Sequence, residues 1–88
     1  MPFEYDANKS ISNRRKHGID FEEAKALWDD ADLIELEVAY EGEPRFVVIG
    51  IIKGKCWTAV ITYRDKAVRI ISVRRSRAKE VDIYDKND

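Results

Sequence analysis

Residues 34–75 leave the chain little choice of architecture. Four stretches with strand-like apolar patterning follow one another there, parted only by turn signals too short to hold a helix. Ile34, Leu36, Val38 and Tyr40 point one way, with Glu35 and Glu37 opposite. Glu41-Gly42-Glu43-Pro44 is a turn, and residues 45–52 are then almost continuously apolar, as a central strand covered on both faces is. Lys53-Gly54 forms a tight turn into a third strand over residues 55–63. Arg64-Asp65-Lys66 turns the chain into a fourth, over residues 67–75. Connections this short join antiparallel neighbours, because a parallel pair needs a long crossover. The expectation is a four-stranded antiparallel meander.

Two helices precede it. Phe3-Glu4-Tyr5 reads as a short strand, and Asp6 can then accept the free N–H groups of a helix over Ala7–His17. Arg14, Arg15 and Lys16 suit the negative end of that helix dipole, and Gly18 suits the left-handed position after it. Its apolar face is thin, mainly Ala7 and Ile11, which predicts a helix lying on the outside. Asp20 and Glu23 make a capping-box pattern for a second helix that buries Phe21, Ala24, Leu27 and Trp28 and closes at Asp29-Asp30. Ser76 can cap a final short helix carrying Ala78, Val81 and Tyr84, and a polar tail over residues 85–88 should fray.

The fold class expected is α+β. A four-stranded antiparallel sheet, with a short N-terminal strand beside it, carries the two N-terminal helices on one face and is followed by the short C-terminal helix. Alternation along the fourth strand puts Val68, Ile70, Ser72 and Arg74 on one side and Arg69, Ile71, Val73 and Arg75 on the other. Neither side is cleanly polar, so the second face needs the last helix, a partner, or both to cover it.

The chain has 88 residues, which fits one domain over residues 1–88. A chain this short buries roughly 60–65% of its unfolded surface, so chemistry is expected on an open face or shallow groove. The single cysteine, Cys56, forms no intrachain disulfide and reads as a small buried hydrophobe. With one histidine besides, no metal site of ordinary His/Cys type is expected. There is no phosphate-binding glycine loop, no dinucleotide fingerprint and no nucleophile elbow, and no cofactor is expected. The N-terminus lacks a basic region followed by an apolar run, and no apolar run is long enough to span a bilayer. A cytoplasmic protein without membrane contact is expected.

The net charge of −1 conceals a segregation. Residues 20–43 hold ten acidic side chains and one basic, Lys25, whereas residues 53–79 hold nine basic and one acidic, Asp65. Such a molecule has two faces, one suited to a polyanion. Arg64, Arg69, Arg74, Arg75 and Arg77 dominate the basic set. The planar guanidinium fork matches phosphate oxygens, although Arg74 and Arg75 must face opposite sides if both lie in the strand. Singly these arginines suit solvent as well as phosphate; together they favour an anionic partner. His17 suits either proton transfer or a cation at a helix end. Trp28 and Trp57 suit packing, while Tyr63, beside Arg64 at a turn, is open to stacking on a base.

Phe3-Glu4-Tyr5-Asp6, Asn13, Arg15-Lys16-His17-Gly18-Ile19 and Phe21-Glu22-Glu23-Ala24 resemble the opening of the BrnT toxins. Arg45-Phe46 and Arg69-Ile70-Ile71-Ser72-Val73-Arg74-Arg75 resemble that family's middle and closing motifs. Tyr5 replaces the family's usual tryptophan, and Pro44 its usual glutamate before Arg45-Phe46. The resemblance covers roughly residues 3–84 and implies a RelE-like fold. It implies the toxin half of a type II toxin–antitoxin system: a metal-independent ribonuclease that cleaves RNA and arrests translation. A BrnA-type antitoxin would neutralise it, and DNA would be met only through that antitoxin. With that resemblance, Lys16 or His17 would assist proton transfer, Arg64 and Arg74 would hold the phosphate, and Arg69, Arg75 and Arg77 would bind the RNA backbone. The competing readings are a non-catalytic nucleic-acid-binding module and a protein-interaction domain whose arginines meet an acidic partner.

Overall fold

A computed structural model describes residues 2–87. The elements run β1 (Phe3–Glu4), α1 (Ala7–His17), α2 (Phe21–Ala24), a 3-10 turn (Lys25–Asp29), β2 (Ile34–Val38), β3 (Arg45–Ile52), β4 (Lys55–Arg64), β5 (Ala67–Arg75) and α3 (Ala78–Lys86). The meander is present, with β2, β3, β4 and β5 paired antiparallel in sequence order. Both hairpin turns place two consecutive residues at positive φ, Lys53 and Gly54 in one and Asp65 and Lys66 in the other. That is the turn whose twist matches paired strands.

The short first strand corrects the expected sheet. β1 pairs in parallel with β5, Phe3 opposite Val68 and Glu4 opposite Arg69, so the sheet is five-stranded and mixed in the order β1-β5-β4-β3-β2. α1, the intervening meander and its turns supply the long connection that a parallel pair requires.

α1, α2 and the 3-10 turn cover one face. Phe21, Ala24 and Leu27 pack there with Val48, Ala59, Ile61, Val68, Ile70 and Val73. The second helix is not continuous: after one α-helical turn it tightens into the 3-10 segment. Asp20 accepts from the Glu23 amide at 2.8 Å and Glu23 from the Asp20 amide at 3.1 Å, which completes the capping box. α1 is also capped as expected, by Asp6 at its start and left-handed Gly18 at its end. The face it buries is the reverse of that expected. Ser10 and Asn13 are buried, whereas Ile11 is 53% exposed. These polar groups are satisfied: Ser10 Oγ accepts from the Phe21 amide at 2.9 Å. Asn13 Nδ2 donates to the carbonyls of Ile19 and Val73, and its Oδ1 accepts from the Val73 amide. The Asn13 amide thus closes the free edge of β5 beyond the two-residue β1, as a further strand would.

A bulge overturns the expected alternation of β5. Val60 pairs with Ser72 while Ile61 pairs with Ile70, so Ile71 is an extra residue. Beyond it the two sides exchange. Val73 joins Val68 and Ile70 in the core, and Arg74 falls with Arg69 and Ser72 on the opposite face.

α3 covers part of that opposite face. Ile34, Ile49, Thr58 and Arg74 form one row across the sheet, and its three uncharged members are buried. Glu80 of α3 grips Arg74, and Tyr84 Oη donates to Asp30 at 2.7 Å. Asp30 also accepts from the Ile51 amide; against the raising effect of burial, the Tyr84 hydroxyl first and then the Ile51 and Asp32 amides hold its carboxyl below its ordinary value, and Tyr84 is pushed up to about 12 by that carboxylate. Ser76 does not cap α3, since its hydroxyl bonds Thr58 Oγ1 at 2.8 Å; Glu80 instead accepts from the Arg77 amide. The helix continues through Asp85 and Lys86, further than expected, and Asp88 lies outside the described residues. Leu36 and Val38, on the same face beyond α3, stay exposed.

Candidate nucleic-acid interface

The β4–β5 hairpin distributes its cations between two ends. At the β4–β5 turn stand Arg64 and Arg69, joined by Arg45 from the start of β3. Each has a carboxylate beside it. Arg64 Nε lies 3.6 Å from Glu43 Oε2, Arg45 Nη2 lies 3.8 Å from Glu43 Oε1, and Arg69 Nη1 lies 3.6 Å from Glu4 Oε1. Arg45 is held further by the Tyr40 ring, 4.0 Å below its guanidinium carbon. Tyr63 stands at this end too, half-exposed, with its ring edge-on against Phe46 and its hydroxyl donating to Glu35. Burial and that carboxylate push the Tyr63 phenol up to about 12.

The opposite end, at the β3–β4 turn, is different. Lys53 sits in the turn and Lys55 opens β4. Arg75 closes β5 opposite Trp57, with its guanidinium 5.4 Å from the indole centroid. α1 also ends here. Gly18, directly after His17, lines a groove of about 470 Å³ together with Ile52, Lys53, Lys55 and Trp57. Lys16 and His17 are exposed on the last turn of α1, and Arg77 is exposed at the start of α3. Among the described residues, no carboxylate lies within 4.0 Å of Lys16, Lys53, Lys55, Arg75 or Arg77. Cations without counter-charges focus a positive potential, and the His17 imidazole at the end of α1 adds ring nitrogens that can accept or donate a proton.

Arg74 belongs to neither set. Its two terminal nitrogens each donate to Glu80 at 2.7 Å. The fork holds the Glu80 carboxyl down at about 2, and Glu80 in turn raises Arg74. Arg74 is a clamp between β5 and α3.

Of the side chains singled out in the sequence, Lys16, His17 and Arg75 therefore come to one end, with Arg77 on the α3 start that follows β5. Arg64 and Arg69 do not join them. Trp57 and Arg64 stand seven residues apart on β4, a span of about 23 Å. Lys53 and Lys55 were missed; Trp57 packs in the core as expected and also lines the groove. The lysines lay within the basic run, but nothing local showed that the end of α1 would meet them. Among the described residues, no cluster of His, Cys, Asp and Glu is placed to hold a metal ion, and no helix is long and apolar enough to cross a membrane.

The sequence matches the model of a family described as the ribonuclease toxin, BrnT, of type II toxin–antitoxin systems, over residues 5–80. No curated protein is matched.

Proposed function

This chain belongs to the BrnT family of type II toxin–antitoxin ribonuclease toxins, and from that premise we propose that it is an endoribonuclease holding its RNA at the β3–β4 turn end of the sheet. Membership implies an RNA substrate and an antitoxin partner. The finer reading is a RelE-like domain over the whole chain, acting in the cytoplasm to arrest translation. A BrnA-type antitoxin restrains it, and DNA is met only through that antitoxin.

In this reading the ribose 2′-oxygen attacks the adjacent phosphorus, its proton passes to a base, and the bond to the 5′-oxygen breaks as that oxygen is protonated. His17 or Lys16 serves the proton transfers. Arg75, with Lys53 and Lys55, meets the phosphate and the charge that builds on it, and Arg77 positions the flanking backbone. Because cations answer that charge, no metal is required. Arg64 stands too far from Arg75 to share one phosphate, and Arg74 positions the end of β5 through Glu80.

The observation that carries the proposal is that Lys53, Lys55 and Arg75, without carboxylate partners, stand at the end of the sheet where α1 delivers the one histidine, while the arginines of the other end are paired. The test is to incubate the purified protein with RNA in the presence of a chelator. Cleavage is expected, with loss in a variant combining Lys16→Ala and His17→Ala. Intact RNA, or undiminished cleavage by a variant combining Lys55→Ala and Arg75→Ala, would overturn it.

A further inference from the structure

The groove beside the end of α1 has a feature that phosphate binding does not use. Its lining is mixed: Ile19, Ala26, Ile52 and Trp57 supply apolar surface beside Glu23, Lys53 and Lys55. About 470 Å³ lies within the range of pockets that take small ligands. The rim is cationic: Lys53 and Lys55 border it, and the Arg75 guanidinium lies over the Trp57 ring. A groove with apolar surface inside and cations without a carboxylate at its border complements one nucleotide of a single strand. The base leaves water in the slot while the phosphates on either side meet the ammonium and guanidinium groups.

Resting on the reading of this protein as an RNA enzyme, we infer that the groove between α1, the 3-10 turn and the β3–β4 turn is a nucleobase subsite that sets the RNA sequence the protein prefers. Glu23 gives it direction. This carboxylate also lines the groove, and both its bond from the Asp20 amide and its pairing with Arg14 use Oε1. Oε2 takes part in neither, and a carboxylate oxygen accepts from the exocyclic amino group of a base. The subsite therefore prefers adenine, cytosine or guanine, which offer an exocyclic amino donor, to uracil, whose N3–H donor lies between two carbonyl oxygens that repel a carboxylate.

The test uses short single-stranded 2′-O-methyl oligonucleotides, which bind without being cut. Their affinities for the wild-type protein are compared between adenine, cytosine and uracil sequences. The expected result is binding about tenfold tighter for the amino-bearing bases, with the preference removed by Ala26→Phe, which fills the groove from its wall. Ala26→Leu serves as the milder filling variant, and thermal melting confirms that both fold. Equal wild-type affinity for the three sequences overturns the inference, as does a preference that survives in a folded filling variant. If both variants unfold, the wild-type comparison alone decides. Unmodified RNA separates the two proposals. RNA left intact defeats the cleavage reading while the oligonucleotide affinities still judge the groove; cleavage without base preference defeats the groove alone.

Discussion

Both ends of the β4–β5 hairpin carry cations, and they differ in what answers them, Lys66 being the exception without a carboxylate at the β4–β5 turn among the described residues. At the β4–β5 turn, Arg45, Arg64 and Arg69 stand beside Glu43 and Glu4. At the β3–β4 turn, Lys53, Lys55 and Arg75 have no carboxylate in reach among the described residues. Exposed ion pairs contribute only about 0–1 kcal/mol to stability, so the pairing matters chiefly through the potential it cancels. A count of arginines along a strand is therefore a poor map of where phosphate will bind. The counter-charges decide, and for Arg64 and Arg69 they come from elements far away in sequence: β1 supplies Glu4 to Arg69, and the β2–β3 connection supplies Glu43 to Arg64.

That comparison breaks first at the proton-transfer groups. Replacing Lys16 and His17 together by alanine is expected to slow RNA cleavage about 10²-fold or more in single-turnover assays, whereas Arg64→Ala stays within about twofold because its charge is already answered. The reverse ranking would move the site to the other end of the hairpin. Next comes the tie that brings the end of α1 to β5. Asn13→Ala leaves the Val73 amide and carbonyl without their buried partner and should cost about 2–3 kcal/mol in chemical denaturation.

The Arg74–Glu80 clamp sharpens the contrast between structural and available arginines through pH. Glu80 is held at about 2 in the folded protein, below its ordinary 4.5. Its contribution is therefore present above that ordinary value and is lost as pH falls from 4.5 towards 2. Denaturation midpoints followed through that acidic window should decline in the wild type. In Arg74→Ala the decline should flatten, with a loss of about 1–2 kcal/mol at neutral pH. The smallest expected effect lies in salt dependence. Arg75→Ala should weaken RNA binding about threefold and lower the slope of log affinity against log salt by about 0.7, while Arg69→Ala leaves the slope unchanged.

Much of the frame was legible along the chain. Short turn signals and period-2 patterning marked the meander, and Asp6, Gly18, Asp20 and Glu23 marked helix ends to the residue, because caps and tight turns are local chemistry. The site was legible only in part. Lys16, His17 and Arg75 were singled out, but Arg64 was grouped with them although a strand length separates it from their end. The polar buried face of α1 was missed because Asn13 is satisfied by Val73, far along the sequence. The side of Arg74 was misassigned because one unpaired residue, Ile71, shifts the alternation beyond it.

By itself, then, the sequence determined which residues are strands, where they turn, and that positive charge gathers in the second half of the chain. These follow from backbone and side-chain preferences acting over a few residues. Only the tertiary structure decided which cations remain available. Register, the bulge in β5 and the parallel docking of β1 set which carboxylate meets which arginine, and each depends on contacts between distant segments. An end of the sheet rich in unanswered charge is a property of that assembly, present in no single stretch of the chain.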